Sequence, residues 1–214
     1  MKTGNGKDCG RRVTRVILIR HTSTGFHGVY FLGKADVPIT EDGMKHARQI
    51  GQLLKDLRID RIYSSQLRRA VMTAEEIAKV QGLKVEQIPE LNEVDFGVMD
   101  GLTGEEVESR YPGLIGERNR DKLNFRPPGG ESYVEAGKRA VPAFRKLFDS
   151  NPGKTVVVVM HSILMKLIFR DVTGKNIDET GEYIGFGCRM TYDESDGKIR
   201  FVRIENDRKL EGEK

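Results

Sequence analysis

The chain has 214 residues, 37% of them hydrophobic, with 36 Lys and Arg against 32 Asp and Glu for a formal net charge of +4. That length suits one domain with a substantial core, since two domains would each be small. The two charge signs are interspersed and no basic stripe with interleaved aromatics occurs, which argues against a nucleic-acid partner and leaves a small anionic ligand open.

Residues 1–12 are charged and aperiodic and read as a flexible N-terminal tail, as do residues 207–214 at the other end; a single domain over 13–206 remains. The N-terminal stretch has no apolar run of signal-peptide length, and Val16 to Ile19 is far too short to span a bilayer, so neither secretion nor membrane insertion is expected. Cys9 and Cys188 are the only cysteines and lie far apart, which supports neither a disulfide framework nor a thiolate zinc site. A reducing, cytoplasmic setting fits this usage.

Val16 to Ile19 form a short, continuously apolar strand of the kind buried on both faces in a parallel sheet. Arg20, His21, Thr22, Ser23 and Thr24 follow at its carboxyl end, where open α/β sheets place their ligands. A cation, an imidazole and hydroxyl donors in that position suit a phosphate. The loop from Gly25 to Pro38 is long enough to fold over such a site, and His27 lies on it, facing either the pocket or solvent.

Thr40 is placed to cap a helix whose apolar stripe runs Met44, Ala47, Ile50, Gly51, Leu54 and Leu57. His46 falls off that stripe and reads as solvated surface. Asp60 to Ser65 reads as a second strand, and Leu67 to Val80 as a helix stopped by Gly82. Arg68 and Arg69 in its first turn run against the preference for acids at the positive end of the helix dipole, and read either as a solvated charge pair or as part of an anion site at the helix N-terminus. Leu83 to Ile88 is a further strand. Acids alternate with apolar residues in the loop from Pro89 to Gly101, which suggests that one carboxyl points inward, where burial would fit it for proton transfer. No metal-ligand spacing accompanies them.

Glu105 to Tyr111 is a short helix, and the segment on to Phe125 leaves room for another turn or two. After the Pro127-Pro128-Gly129-Gly130 turn, a helix from Ser132 to Phe148 carries Val134, Gly137, Ala140, Val141, Phe144 and Leu147 on one side. Residues 102–131 therefore read as a lid or insertion. Thr155 to Met160 repeats the opening theme, a buried strand ending in His161 and Ser162 and leading into a helix from Ile163 to Asp171. Strand-terminal histidines in one parallel sheet converge on the same edge. Glu182 to Tyr192 and Ile199 to Ile204 complete the chain as an antiparallel hairpin at the sheet edge.

Leu18-Ile19-Arg20-His21-Thr22-Ser23-Thr24 resembles the Arg-His-Gly motif of the histidine phosphatase superfamily, also called phosphoglycerate mutase-like. The resemblance continues in order through residues 38–43, 63–70, 91–97, 128–132 and 159–162, and spans roughly residues 14–204. It implies an α/β fold of three α/β/α layers, with a mostly parallel central sheet carrying an antiparallel edge. It also implies that His21 is the nucleophile, that Arg20, Arg69 and His161 clamp the phosphate, that Glu93 is the proton donor, and that Thr24 touches the phosphate. The asparagine often found on the first loop is missing, with Phe26 or His27 near its place, and His27 could supply that donor. Thr22 and Ser162 each stand where the family frequently has glycine, and Ser162 adjoins the clamp as a further substrate contact.

The implied chemistry is attack by a neutral imidazole on phosphorus, with arginines in place of a metal ion, no cofactor, and a small phosphate ester as the partner. The Pro-Gly-Gly-Glu-Ser turn and compact length are similar to those of broad-specificity and α-ribazole-phosphate phosphatases. The alternatives are a cofactor-dependent mutase sharing the intermediate, and a silent phospho-ligand-binding module. Substrate identity and oligomeric state are not written in the residues.

Overall fold

The computed structural model describes residues 13–26 and 31–206. The tails assigned to 1–12 and 207–214, and His27, lie outside the described residues. Six strands form one sheet in the order β3-β2-β4-β1-β5-β6. They are β1 (Thr14–Arg20), β2 (Arg61–Ser64), β3 (Val85–Gln87), β4 (Thr155–Met160), β5 (Arg189–Ser195) and β6 (Lys198–Glu205). β1, β2, β3 and β4 pair in parallel, whereas β5 runs antiparallel to both β1 and β6. The expected mixed sheet with an antiparallel edge is what forms.

Helices cover both faces of the sheet, which is why its central strands are apolar without alternation. Ile17, Ile19, Val157 and Val159 pack with residues of α1 (Glu41–Leu53) and α2 (Arg68–Gln81). Val16, Leu18, Val156 and Val158 face the other way, into the cluster with α5 (Tyr133–Ser150) and α6 (Ser162–Thr173). Each such side chain contributes about 1.5–3 kcal/mol on burial.

The caps follow the sequence. Thr40 Oγ1 accepts the Gly43 N–H at 3.0 Å, and Ser132 and Glu135 form a reciprocal capping box at the start of α5. Gly82 ends α2 at φ 65°, in the left-handed region. An anion does meet the start of α2, and it is internal: Asp36 Oδ1 accepts the Arg68 N–H at 2.7 Å.

Two expectations about side-chain direction fail. Val134 is 40% exposed, because α5 is rotated so that Ala136, Ala140, Phe144, Leu147 and Phe148 form its buried stripe. His46 is buried, because the backbone of Gly187, far away in sequence, closes over its ring. Residues 102–131 form α3 (Gly104–Arg110) and α4 (Leu114–Arg120), with Val107 buried in the cluster beneath α5 and α6.

Candidate active site

β1 and β4 pair in register with Arg20 opposite Met160, so the next residues, His21 and His161, leave the sheet side by side. The His21 N–H donates to the Met160 carbonyl at 3.0 Å, and the ring centroids lie 5.2 Å apart. Both imidazoles are buried, at 6% and 0% exposure.

Their hydrogen bonds assign their protons. His21 Nδ1 lies 2.8 Å from the Thr22 carbonyl, which can only accept, so Nδ1 carries the proton and Nε2 keeps its lone pair. His161 Nε2 lies 2.7 Å from Ser65 Oγ, and that hydroxyl already accepts the Leu67 N–H. A Ser65 hydroxyl that donates to Nε2 places the His161 proton on Nδ1. That Nδ1 is buried without a partner among the described residues. Burial, reinforced by the Arg69 guanidinium, holds both histidines well below the ordinary imidazole value, so both are neutral at pH 7.

Arg20 donates from Nη1 to the Ile184 carbonyl at 2.8 Å, and its guanidinium lies 4.0 Å over the Phe186 ring. Arg69 is almost wholly buried and donates to the carbonyls of Ala35 and Gly33 at 2.8 and 2.7 Å, while its Nε has no partner among the described residues. Asp100 braces that loop by accepting the N–H groups of Gly33 and Ala35, both at 2.8 Å. Gly33 is obligatory there, because a Cβ would lie 2.1 Å from the Val94 carbonyl.

Glu93 is buried, with Oε1 accepting the Val94 N–H at 3.1 Å and Oε2 the Ile163 N–H at 3.3 Å. Burial raises its carboxyl above the usual carboxylate value, against the opposing pull of these N–H groups and of Arg69. The inward carboxyl expected in this loop is therefore Glu93. The other acids serve the scaffold: Asp95 pairs with Lys34 at 2.8 Å, and Asp100 braces the loop holding Arg69.

A cleft of about 190 Å³ is lined by Arg20, His21, Thr24, Glu93 and Ser162, among others. His161 and Arg69 are buried, the first with its ring 5.2 Å from that of His21 and the second close enough for its charge to act on both imidazoles. A groove of about 460 Å³ elsewhere, along α5, holds none of these groups. Thr22 turns away from the cleft, its N–H and hydroxyl 3.2 Å from Thr73 Oγ1, and it does not take the positive φ for which glycine would be needed. Among the described residues, no group of three or more His, Cys, Asp or Glu is placed to hold a metal ion, and no helix is long and apolar enough to cross a membrane.

Sequence reasoning missed several contributors. Ser65 carried a usable signal, a hydroxyl at the carboxyl end of a parallel strand on the histidine edge. Arg139 carried none: it donates to the carbonyls of Glu90, Asn92 and Glu93 and pairs with Glu131 at 2.5 Å, so its role exists only once the fold is made. Phe31, Arg118, Tyr133 and Phe186 also line the cleft.

Residues 16–207 match the family model described as "Histidine phosphatase superfamily (branch 1)". Among curated proteins, phosphoserine phosphatase 1 of Hydrogenobacter thermophilus is 29% identical over 177 residues, covering 82% of each chain. Among solved structures, a mycobacterial glucosyl-3-phosphoglycerate phosphatase superposes with a TM-score of 0.77 at 25% identity, over 89% of this chain and 97% of that one. The α-ribazole phosphatase of Shigella flexneri superposes with a TM-score of 0.81 at 26% identity, over 91% and 96%.

Proposed function

The chain belongs to branch 1 of the histidine phosphatase superfamily, and we propose that it is a phosphomonoester hydrolase that works through a phosphohistidine on His21, with a small phosphorylated metabolite as substrate. The observation that carries this reading is the 2.8 Å contact of His21 Nδ1 with the Thr22 carbonyl, which leaves an unprotonated Nε2 in the same cleft as a carboxyl whose burial favours its acid form.

In this mechanism Nε2 attacks phosphorus in line and the bond from phosphorus to the ester oxygen breaks. Glu93 passes its proton to the departing oxygen. The phosphoryl oxygens meet Arg20, Arg69, the Nδ1–H of His161, the Thr24 hydroxyl and the open N-terminus of α6 at Ser162. Water then attacks the phosphohistidine, its proton goes to the Glu93 carboxylate, and phosphate leaves with His21 restored. The arginines supply the positive charge, and no step calls on a metal ion. His27 belongs to the proposed substrate contacts on sequence grounds alone.

Rapid quenching with a ³²P-labelled ester tests the reading: acid-labile label on His21, absent from His21→Ala, is expected. Label absent from the native protein would overturn it. Isomerised ester in place of free phosphate from 3-phosphoglycerate would identify a mutase instead.

A further inference from the structure

We propose that Thr22 and Thr73 are positioning residues that act as a pair: the contact they share holds the carbonyl that fixes the His21 proton, and so aims Nε2 at phosphorus. The proposal rests on the phosphatase reading above and deepens it. Neither residue lines the cleft.

Thr73 lies on α2, wholly buried, and its hydroxyl makes three contacts. It donates to the Arg69 carbonyl one helical turn back at 2.8 Å, which commits its single proton, because a carbonyl can only accept. The oxygen then receives the Thr22 N–H at 3.2 Å and the Thr22 hydroxyl, also at 3.2 Å, so Thr22 is the donor in both. Back-bonding to the residue four before is a habit of helical threonines, and it explains only the first contact. The other two arise because Thr22, also wholly buried, faces Thr73 from the turn after β1. One donated and two accepted bonds complete the capacity of the Thr73 hydroxyl.

The consequence falls on His21. The Thr22 N–H belongs to the peptide that leaves His21, and the Thr22 carbonyl meets His21 Nδ1 at 2.8 Å. That is the one hydrogen bond to the imidazole among the described residues; the rings of His161 and Phe186, at 5.2 and 5.6 Å between centroids, are packing contacts. Thr22 is held at its N–H and at its side chain by a single oxygen, and the carbonyl that orients the imidazole shares the restraint. The same oxygen bonds the Arg69 carbonyl, so the turn of the nucleophile and the helix turn of the arginine are joined through Thr73. Glycine at position 22 would keep the N–H contact, lose the hydroxyl one and loosen the backbone at the residue whose carbonyl matters. The φ of Thr22 is not positive, so a threonine fits there without strain.

The test joins nitrogen-15 spectra of the histidines to phosphate release from p-nitrophenyl phosphate, on the full chain. Native His21 should show a protonated Nδ1 and an unprotonated Nε2. Thr73→Val keeps the shape and removes the oxygen. Both His21 resonances should then move toward a mixture of tautomers, and kcat should fall about tenfold or more at nearly constant KM, since a misdirected nucleophile costs turnover before binding. Thr73→Ser restores the oxygen and should recover most of both. Thr22→Val keeps the N–H and should lose about threefold. Because the substitutions break one shared contact, the double variant should be no slower than Thr73→Val alone. Unchanged His21 resonances in Thr73→Val, losses that multiply in the double variant, or no recovery in Thr73→Ser each overturn the proposal. Should Thr73→Val not fold, the same resonances in Thr22→Val decide it. No phosphate release by the native protein overturns the hydrolase reading, whereas the spectra, read on the resting protein, uphold or overturn the placing of His21 by Thr22 and Thr73 on their own.

Discussion

The Ser65 hydroxyl lies 2.7 Å from His161 Nε2, and this contact decides which nitrogen of the second histidine faces the reacting centre. Ser65 stands at the end of β2 and His161 at the end of the adjacent β4, so the pairing is a product of sheet order. In the proposed mechanism Nε2 is occupied as an acceptor, and Nδ1–H is the donor offered to a phosphoryl oxygen. Ser65→Ala frees the imidazole to take either tautomer, and kcat should fall about tenfold or more with little change in KM, because the donor acts chiefly in the transition state. Ser65→Thr should recover most of the loss. Nitrogen-15 spectra of His161 report the tautomer directly, and an unchanged spectrum in Ser65→Ala would remove Ser65 from this role.

The pH profile follows from two opposed shifts. In the proposed mechanism turnover needs His21 neutral, and burial with Arg69 and Arg20 holds its pKa well below 6.5, so the neutral form persists far into the acid range. The same mechanism needs Glu93 protonated, and burial raises that pKa above 4.5, so the acid form persists to higher pH than usual. A plot of kcat/KM is therefore a bell, its acid limb below 6.5 and its alkaline limb governed by Glu93. Glu93→Gln should lose the alkaline limb, and its activity should fall by about 100-fold or more on alkyl phosphates but far less on p-nitrophenyl phosphate, whose leaving group needs no proton. Equal losses on both esters would contradict the assignment.

Arg139 fixes the loop that carries Glu93. Its Nη1 donates to the carbonyls of Glu90 and Asn92, both at 2.7 Å, and its Nη2 to that of Glu93 at 3.1 Å, while Glu131 holds the guanidinium. Glu131 also accepts the Asp95 N–H at 3.0 Å, so the pair grips this loop from both sides of Glu93. Arg139→Lys keeps the charge and loses the fork. Turnover of alkyl phosphates should drop about tenfold, with p-nitrophenyl phosphate turnover affected less, since a displaced proton donor costs most where protonation matters most. A uniform loss across leaving groups would indicate a merely structural role.

The divide between what the residues announced and what they concealed follows sequence distance. His21 and His161 end apolar strands, so their meeting was legible as soon as both strands were taken to be parallel neighbours; an inward carboxyl was legible in the loop from Pro89 to Gly101, but only the family resemblance singled out Glu93. Thr22 was harder to place. It departs from the motif's glycine, and only the position of Thr73 on α2 shows that its hydroxyl has somewhere to go. His46 was misread because helical periodicity describes one packing surface, whereas Gly187 supplied a second. Arg139 recognises carbonyls, which every residue carries, so no side-chain pattern could have announced it.

The last prediction sets stability against function at Glu93. Its folded-state pKa lies above the unfolded value of 4.5, so the folded protein holds this proton more tightly. The associated stability is present below 4.5 and is lost as pH rises through the folded pKa, leaving a buried carboxylate that destabilises the fold. Glu93→Gln removes that charge. Its amide oxygen keeps the Val94 N–H, whereas the amide nitrogen cannot accept from Ile163, a loss of about 0.5–1.5 kcal/mol. The upward shift already reflects those N–H groups, so desolvation outweighs them. Scanning calorimetry at pH 8 should show the activity-impaired variant melting a few degrees above the native protein, with the gap closing as pH falls toward 4.5. A variant that melts lower at pH 8, or a gap that ignores pH, would mean that Arg69 and Arg20 stabilise the Glu93 carboxylate more than burial penalises it.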